Sequence, residues 1–213
     1  MDFEDIKKQT EAFVKEELFT LEPWILNVKW EEKLPKLNEL REKVKSKGLW
    51  LPQISKDYGG LGLTNAEHGE VSEILGASPY GHYCFNCQAP DAGNMEILIE
   101  FGTDQQKETY LYPLLKGEIR SCFAMTEPDH AGSNPVKMGT IAKKENGNYV
   151  INGHKWFTSG FDGSTFAIVM LVSDPENVIP HKKASQVIVP TSSKGLEFVR
   201  NVSIMGHPGG GWE

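Results

Sequence analysis

The stretch Leu114-Leu115-Lys116-Gly117-Glu118-Ile119-Arg120-Ser121-Cys122-Phe123-Ala124-Met125 divides the chain into two grammars. Before Gly117 apolar residues recur at helical spacing; after it, Ser121 to Met125 is a short strand-like run. Glycine at 117 is the residue type that ends a helix, because it enters the left-handed region without a Cβ clash.

Working back from that point, Thr103-x-x-Gln106 is a capping box that opens a helix to about Leu115 in spite of Pro113, and Thr64-x-x-Glu67 opens another through Leu75. Pro35 stands near a helix start, followed by Leu37, Leu40 and Val44, with Gly48 as the stop. Phe3, Ile6, Phe13, Val14, Leu18 and Leu21 trace a first helical face. The glycines at 59, 60 and 62 lack the preceding strand and the Gly-Lys-Ser/Thr pattern of a phosphate loop, and read as a plain turn.

Working forward, Gly139 to Lys144 leads through Glu145-Asn146-Gly147-Asn148 into Tyr149-Val150-Ile151, which is a hairpin. Asn152-Gly153 has the chemistry of a type I′ turn and is expected to feed a further strand from His154 to Ser159. Two more strands are expected at Phe166 to Val172 and Gln186 to Val189. Helices come first and strands after, without βαβ alternation, so the fold class is α+β: an all-helical domain over 1–118, then a β-domain over 119–213. The chain stops inside the glycine-rich run Gly206 to Glu213, where a compact domain rarely ends, and a truncation is expected there.

The 213 residues are 39% hydrophobic and 10% aromatic, enough for a substantial core. The net charge is −7, and the acidity sits in the first half: residues 1–118 hold 13 Lys+Arg against 21 Asp+Glu, residues 119–213 hold 9 against 8. Nucleic-acid binding needs clustered cations on phosphates, so that class is set aside. The near-neutral second half tolerates an anionic ligand. No apolar run spans a bilayer, and Met1-Asp2-Phe3-Glu4-Asp5 is no secretory leader, so a soluble intracellular protein is expected. Compartment follows the host: cytoplasmic in a bacterium, mitochondrial or peroxisomal in a eukaryote. His82-x-Cys84-x-x-Cys87 has only half the ligands of a structural zinc site, so Cys84 and Cys87 read as buried thiols and no metal is expected.

Chemistry concentrates in Phe123-Ala124-Met125-Thr126-Glu127-Pro128-Asp129-His130-Ala131-Gly132-Ser133-Asn134, a strand ending in a proline-stopped turn whose small residues leave backbone N–H groups open to an anion or a polar ring edge. Glu127, ahead of a proline in a turn, reads as a structural carboxylate pairing with local N–H groups rather than as a base.

Together with Ile151-Asn152-Gly153-His154-Lys155-Trp156-Phe157-Thr158-Ser159-Gly160, this run resembles the flavin-contacting strands of acyl-CoA dehydrogenases. Tyr58-Gly59-Gly60-Leu61-Gly62 and Phe101-Gly102-Thr103-Asp104-Gln105-Gln106-Lys107 resemble two further family signatures in the expected order, so the likeness covers nearly the whole chain. The form of the turn is similar to the subgroup of family members ten and eleven, although Asn134 stands where the family commonly has Asp.

The resemblance implies a helical N-terminal domain, a β-barrel-like middle domain and a C-terminal helical bundle that is absent from this chain. It implies FAD as cofactor, with Phe123 among the residues that bind it, Ala124 and Met125 lining the ring with backbone, and Thr126 bonding its pyrimidine edge. Ser133 would lie near the FAD pyrophosphate and the CoA portion of the substrate. From the second motif, one count places Phe157 over the flavin and Ser159 near N5, on one face of a strand; counting by residue type selects Trp156 and Thr158 instead. The implied reaction converts an acyl-CoA to a trans-2-enoyl-CoA, as in fatty-acid β-oxidation, and hands electrons to an electron-transfer flavoprotein. The assembly would be a homodimer or homotetramer. No catalytic residue is expected within 1–213, because the family's base glutamate lies in the C-terminal bundle. A same-fold flavin oxidase or monooxygenase, or a non-catalytic fragment of the fold, stays open at this point.

Overall fold

A computed structural model describes residues 1–132 and 134–203. The chain forms two compact units, 1–107 and 108–213. The expected glycine-rich end at Gly206 to Glu213 lies outside the described residues.

The first unit is helical. Helix α1 (Phe3–Phe13) runs through a wide π-helical segment (Val14–Leu18) into α2 (Phe19–Ile25). Helix α3 (Trp30–Ser46) begins five residues before Pro35, so that proline lies inside the helix rather than at its start. Helices α4 (Asn65–Leu75), α5 (Gly81–Cys84), α6 (Asp91–Phe101) and α7 (Asp104–Gln106) follow.

Both capping boxes form. The Thr64 hydroxyl accepts the Glu67 N–H while the Glu67 carboxylate accepts the Thr64 N–H, and Thr103 and Gln106 reciprocate in the same way. Each satisfies two of the N–H groups that a helix start leaves without intrahelical partners.

The apolar stripe read from the sequence becomes this unit's core. Ile6, Phe13, Val14, Leu18, Leu37, Leu40 and Val44 are buried, and Phe13 meets Phe85 edge to face at 5.4 Å. Arg41 is buried between the rings of Trp50 and Tyr83, and its guanidinium donates to Tyr83 Oη and Asn86 Oδ1. Gly60 sits so close to the Ile54 carbonyl that a Cβ would collide with it, which explains glycine at this point of the turn.

The second unit opens with a π-helical segment (Lys107–Leu111) that starts at the last residue of the first unit and leads into α8 (Tyr112–Lys116). Gly117 then stops the helix at φ +73°. Strands β1 (Ser121–Ala124), β2 (Ile141–Glu145), β3 (Asn148–Asn152), β4 (Phe166–Val172) and β5 (Ala184–Pro190) build one mixed sheet.

Strand β4, Phe-Ala-Ile-Val-Met-Leu-Val, is the central strand: parallel to β1 from Ser121↔Phe166 to Ala124↔Val169, and antiparallel to β5 along its whole length. A nearly continuous apolar run suits a strand covered on both faces. Among the described residues the sheet is open, so the expected barrel-like closure is not seen.

Two local expectations are corrected. The β2–β3 hairpin closes as expected at Asn146 and Gly147, both at positive φ (49° and 82°), but the second turn expected at Asn152-Gly153 does not form. Asn152 still belongs to β3, paired with Ile141, and Gly153 follows tight against the Thr140 side chain, where a Cβ would collide. Second, His154 to Ser159 is not a strand. Phe157 has φ +50°, which breaks an extended run, so the alternation that set Phe157 and Ser159 on one face and Trp156 and Thr158 on the other does not apply. None of the helices, among the described residues, is long and apolar enough to cross a membrane.

Candidate functional site

Strand β1 ends at Ala124, and the chain beyond it stays joined to the segment after β3. The Trp156 N–H donates to the Thr126 carbonyl at 3.1 Å, and the Thr126 hydroxyl donates to the Trp156 carbonyl at 2.7 Å. With its proton committed, the hydroxyl keeps lone pairs to accept a bond from elsewhere.

Lys155 makes a second join. Its ammonium donates to the Met125 carbonyl at 2.7 Å and to Glu127 Oε1 at 2.8 Å. Glu127 in turn accepts the N–H of Gly139 at 2.6 Å and of Thr140 at 2.9 Å. Three stretches of chain, 125–127, 139–140 and 155–156, thus meet at one carboxylate.

Burial alone would push the Glu127 carboxyl up, but the Lys155 ammonium and the two backbone N–H groups outweigh it and hold it at about 2. The Lys155 ammonium is pulled below its ordinary value by burial, and the Glu127 charge partly offsets this. A carboxylate held this low is a poor proton acceptor near neutral pH. It matches the structural role that its place before Pro128 suggests.

The aromatic residues of the second motif stay uncovered. Trp156 is 41% exposed and Phe157 54%, with ring centroids 5.0 Å apart. Ser159 is exposed, and the Thr158 carbonyl accepts the Phe161 N–H, a bond inside its own turn. Phe123 and Ala124 sit in β1 opposite Ile168 and Val169, with Ala124 buried.

The structure therefore brings Met125, Thr126, Trp156 and Phe157 together through direct bonds and ring contact. It links Thr158 and Ser159 to that group through chain continuity alone, among the contacts described. Ser133 lies outside the described residues. The sequence reading assigned no role to Lys155; a lysine directly before two aromatics at a strand end was the available signal. Beside the turn, Met125, Glu127, His130, Gly132, Lys137 and Met138 line a recess of about 10 Å³, room for roughly one water. A larger ligand at this end of the sheet would rest on the open surface beside Trp156 and Phe157, next to the Thr126 hydroxyl.

Comparison with known proteins gives two matched stretches. The acyl-CoA dehydrogenase N-terminal domain model matches residues 2–118, and the acyl-CoA dehydrogenase middle domain model matches residues 122–212. Acyl-CoA dehydrogenase family member 10 of Mus musculus is 40% identical over 218 residues, covering 95% of this chain and 20% of the mouse protein. A solved structure from Mycobacterium abscessus, assigned as an acyl-CoA dehydrogenase, superposes with a TM-score of 0.90 at 33% identity, covering 98% of this chain and 55% of that one. A glutaryl-CoA dehydrogenase from Mycobacterium smegmatis, solved in complex with FADH2, shares the fold with a TM-score of 0.69 at 24% identity, over 95% of this chain and 50% of that one. The chain spans about a fifth of the mouse relative's length and about half of the two mycobacterial chains.

Proposed function

The chain belongs to the acyl-CoA dehydrogenase family, and on that premise we propose that it supplies the flavin-facing part of an FAD-dependent enzyme introducing an α,β double bond into an acyl-CoA thioester. The observation that supports this reading is the doubly bonded Thr126–Trp156 join beside an exposed aromatic pair.

The residues present fit an isoalloxazine. A planar ring with one polar edge needs an apolar surface against its face and hydrogen-bonding groups at its rim. Trp156 and Phe157 offer uncovered aromatic surface, and the anchored Thr126 hydroxyl offers an acceptor beside it. Met125 and Thr126 would line the ring, Thr158 and Ser159 would bring hydroxyls to it, and Ser133 would approach the pyrophosphate and the CoA portion. When bound, FAD supplies the two-electron acceptor that the dehydrogenation requires.

The chain's own residues bind, orient and shield. Thr126 is fixed through the Trp156 carbonyl, so its lone pairs point one way before any ligand arrives, and a preorganised group costs no reorganisation during reaction. Trp156 and Phe157 would exclude water from the ring face, which strengthens polar contacts there. Glu127, held at about 2 and engaged with two N–H groups and Lys155, is not the α-proton acceptor. That base is assigned to a glutamate of a C-terminal helical domain, as in the family. Electrons would leave through an electron-transfer flavoprotein, and the assembly would be a homodimer or homotetramer.

Protein expressed from the complete reading frame should be yellow and should bleach anaerobically with a saturated acyl-CoA. Colour that persists with every acyl-CoA from short to very long would count against the reaction. Reduction of an artificial acceptor without peroxide release would separate a dehydrogenase from an oxidase.

A further inference from the structure

The Glu127 side chain is 4% exposed and that of Lys155 11%, yet each is charged. Burying two charges is expensive, and such a pair can be replaced by apolar residues without loss of stability. Stability alone therefore does not account for its presence here. Its location is more informative: Glu127 directly follows Thr126, Lys155 directly precedes Trp156, and these flanked residues make the double join.

The bonds point the same way. Segment 153–158 has no strand ladder to fix it, and its ties to the end of β1 are the Trp156–Thr126 pair and the Lys155 ammonium. Glu127 pins the other side through the N–H groups of Gly139 and Thr140, just before β2. Releasing either charge loosens one side of the join and leaves its partner charge buried without its counter-charge, although Glu127 keeps the N–H groups of Gly139 and Thr140 and has the His130 imidazole at 3.6 Å. A lone buried charge acts strongly on any electron-accepting ring near it, since the surrounding dielectric is low.

We propose that Glu127 and Lys155 are positioning residues, whose ion pair holds the Thr126–Trp156 join in the orientation that receives the flavin and whose opposed charges balance the potential at which that flavin accepts electrons. The inference rests on the flavin reading above and adds to it two residues that do not themselves touch the ring.

The test uses the holoenzyme from the complete reading frame and the variants Glu127→Gln, Lys155→Met, the double variant and Lys155→Arg. FAD dissociation is followed by flavin fluorescence, reduction potential against reference dyes, and folding by circular dichroism. Each single charge removal is expected to weaken FAD binding about tenfold or more, since it breaks a buried pair. Glu127→Gln leaves the lysine charge uncompensated and raises the potential; Lys155→Met leaves the carboxylate uncompensated and lowers it. The double variant falls between them, and Lys155→Arg returns the potential toward that of the parent. A merely structural pair would move both single variants in the same direction or move neither, and either result overturns the proposal. If Lys155→Met does not fold, Glu127→Gln decides alone, and an unchanged or lowered potential overturns the proposal. A parent protein without flavin would instead refute the functional reading, which keeps the two failures distinct.

Discussion

Thr126 and Trp156 hold each other through two bonds that run in opposite directions, carbonyl accepting from N–H at 3.1 Å and hydroxyl donating to carbonyl at 2.7 Å. The residues are 30 apart in sequence, so the pair closes a loop containing the whole β2–β3 hairpin, and the hydroxyl supplies one of its two bonds. Removing it should matter more than removing a neighbouring hydroxyl that makes no such closure.

Thr126→Val is therefore expected to weaken FAD binding or shift its potential more than Thr158→Val does. The Trp156 carbonyl is exposed and can turn to water, so the loss is that of one ordinary hydrogen bond, about 0.5–1.5 kcal/mol, or roughly two- to tenfold in affinity. Parallel flavin titrations of the two variants check this, and equal effects would contradict it.

Phe157 combines exposure with an unfavourable backbone. A side chain at φ +50° costs on the order of 1–2 kcal/mol relative to the right-handed region, and such strain tends to persist at working sites. Phe157→Gly should relieve that strain while removing aromatic surface. The expected result is an unchanged or raised melting midpoint with FAD affinity reduced several-fold to about tenfold. A lowered midpoint with unchanged affinity would show that Phe157 serves packing instead.

The Glu127 carboxyl links folding to acid. Its folded value of about 2 lies below the ordinary 4.5, so its contribution is fully present above pH 4.5 and is lost as pH falls through about 2. A depression of this size corresponds to on the order of 3 kcal/mol. Melting curves from pH 7 to pH 2 should show the stability gap between parent and Glu127→Gln narrowing across that window. A gap independent of pH would mean that the carboxylate is not held low.

Local chemistry was legible in the sequence. Both capping boxes, the Gly117 stop, the apolar faces around Leu37, Leu40 and Val44, and strand β4 follow from neighbours within a few residues. The segment 154–159 was not legible, because its path is set by bonds to residues near 126, and alternation cannot register a partner so far away. The extra turn has the same origin: Asn146-Gly147 and Asn152-Gly153 carry the same dipeptide, the hairpin turn forms at the first as expected, and strand pairing with Ile141 keeps Asn152 extended. For Glu127, the place before a proline suggested N–H partners, while their identity as Gly139 and Thr140 depended on the fold.

Two glycines of the helical unit should respond to alanine with opposite signs. At Gly60 a Cβ would strike the Ile54 backbone, which cannot swing aside, and Gly60→Ala should destabilise by about 1–3 kcal/mol. At Gly69, exposed within α4 and with nothing in range of a Cβ, Gly69→Ala should stabilise by about 0.5–1 kcal/mol. Urea unfolding of both variants gives the comparison, and matching signs would contradict the packing described at Gly60.

The three buried cysteines give the molecule its own stopwatch. Burial pushes the Cys84 thiol up to about 12 and that of Cys87 higher still, so in the closed state neither presents a thiolate to an alkylating reagent. Cys122 is fully enclosed as well, but in the sheet unit, whereas Cys84 and Cys87 belong to the helical one. Alkylation must then wait for a breathing motion, and mass spectrometry can tell which thiol was captured. The modification rate at Cys122 times the opening of one unit, and the rates at Cys84 and Cys87 time the other, so the separate loosening of each half can be followed in the unaltered protein without any introduced probe.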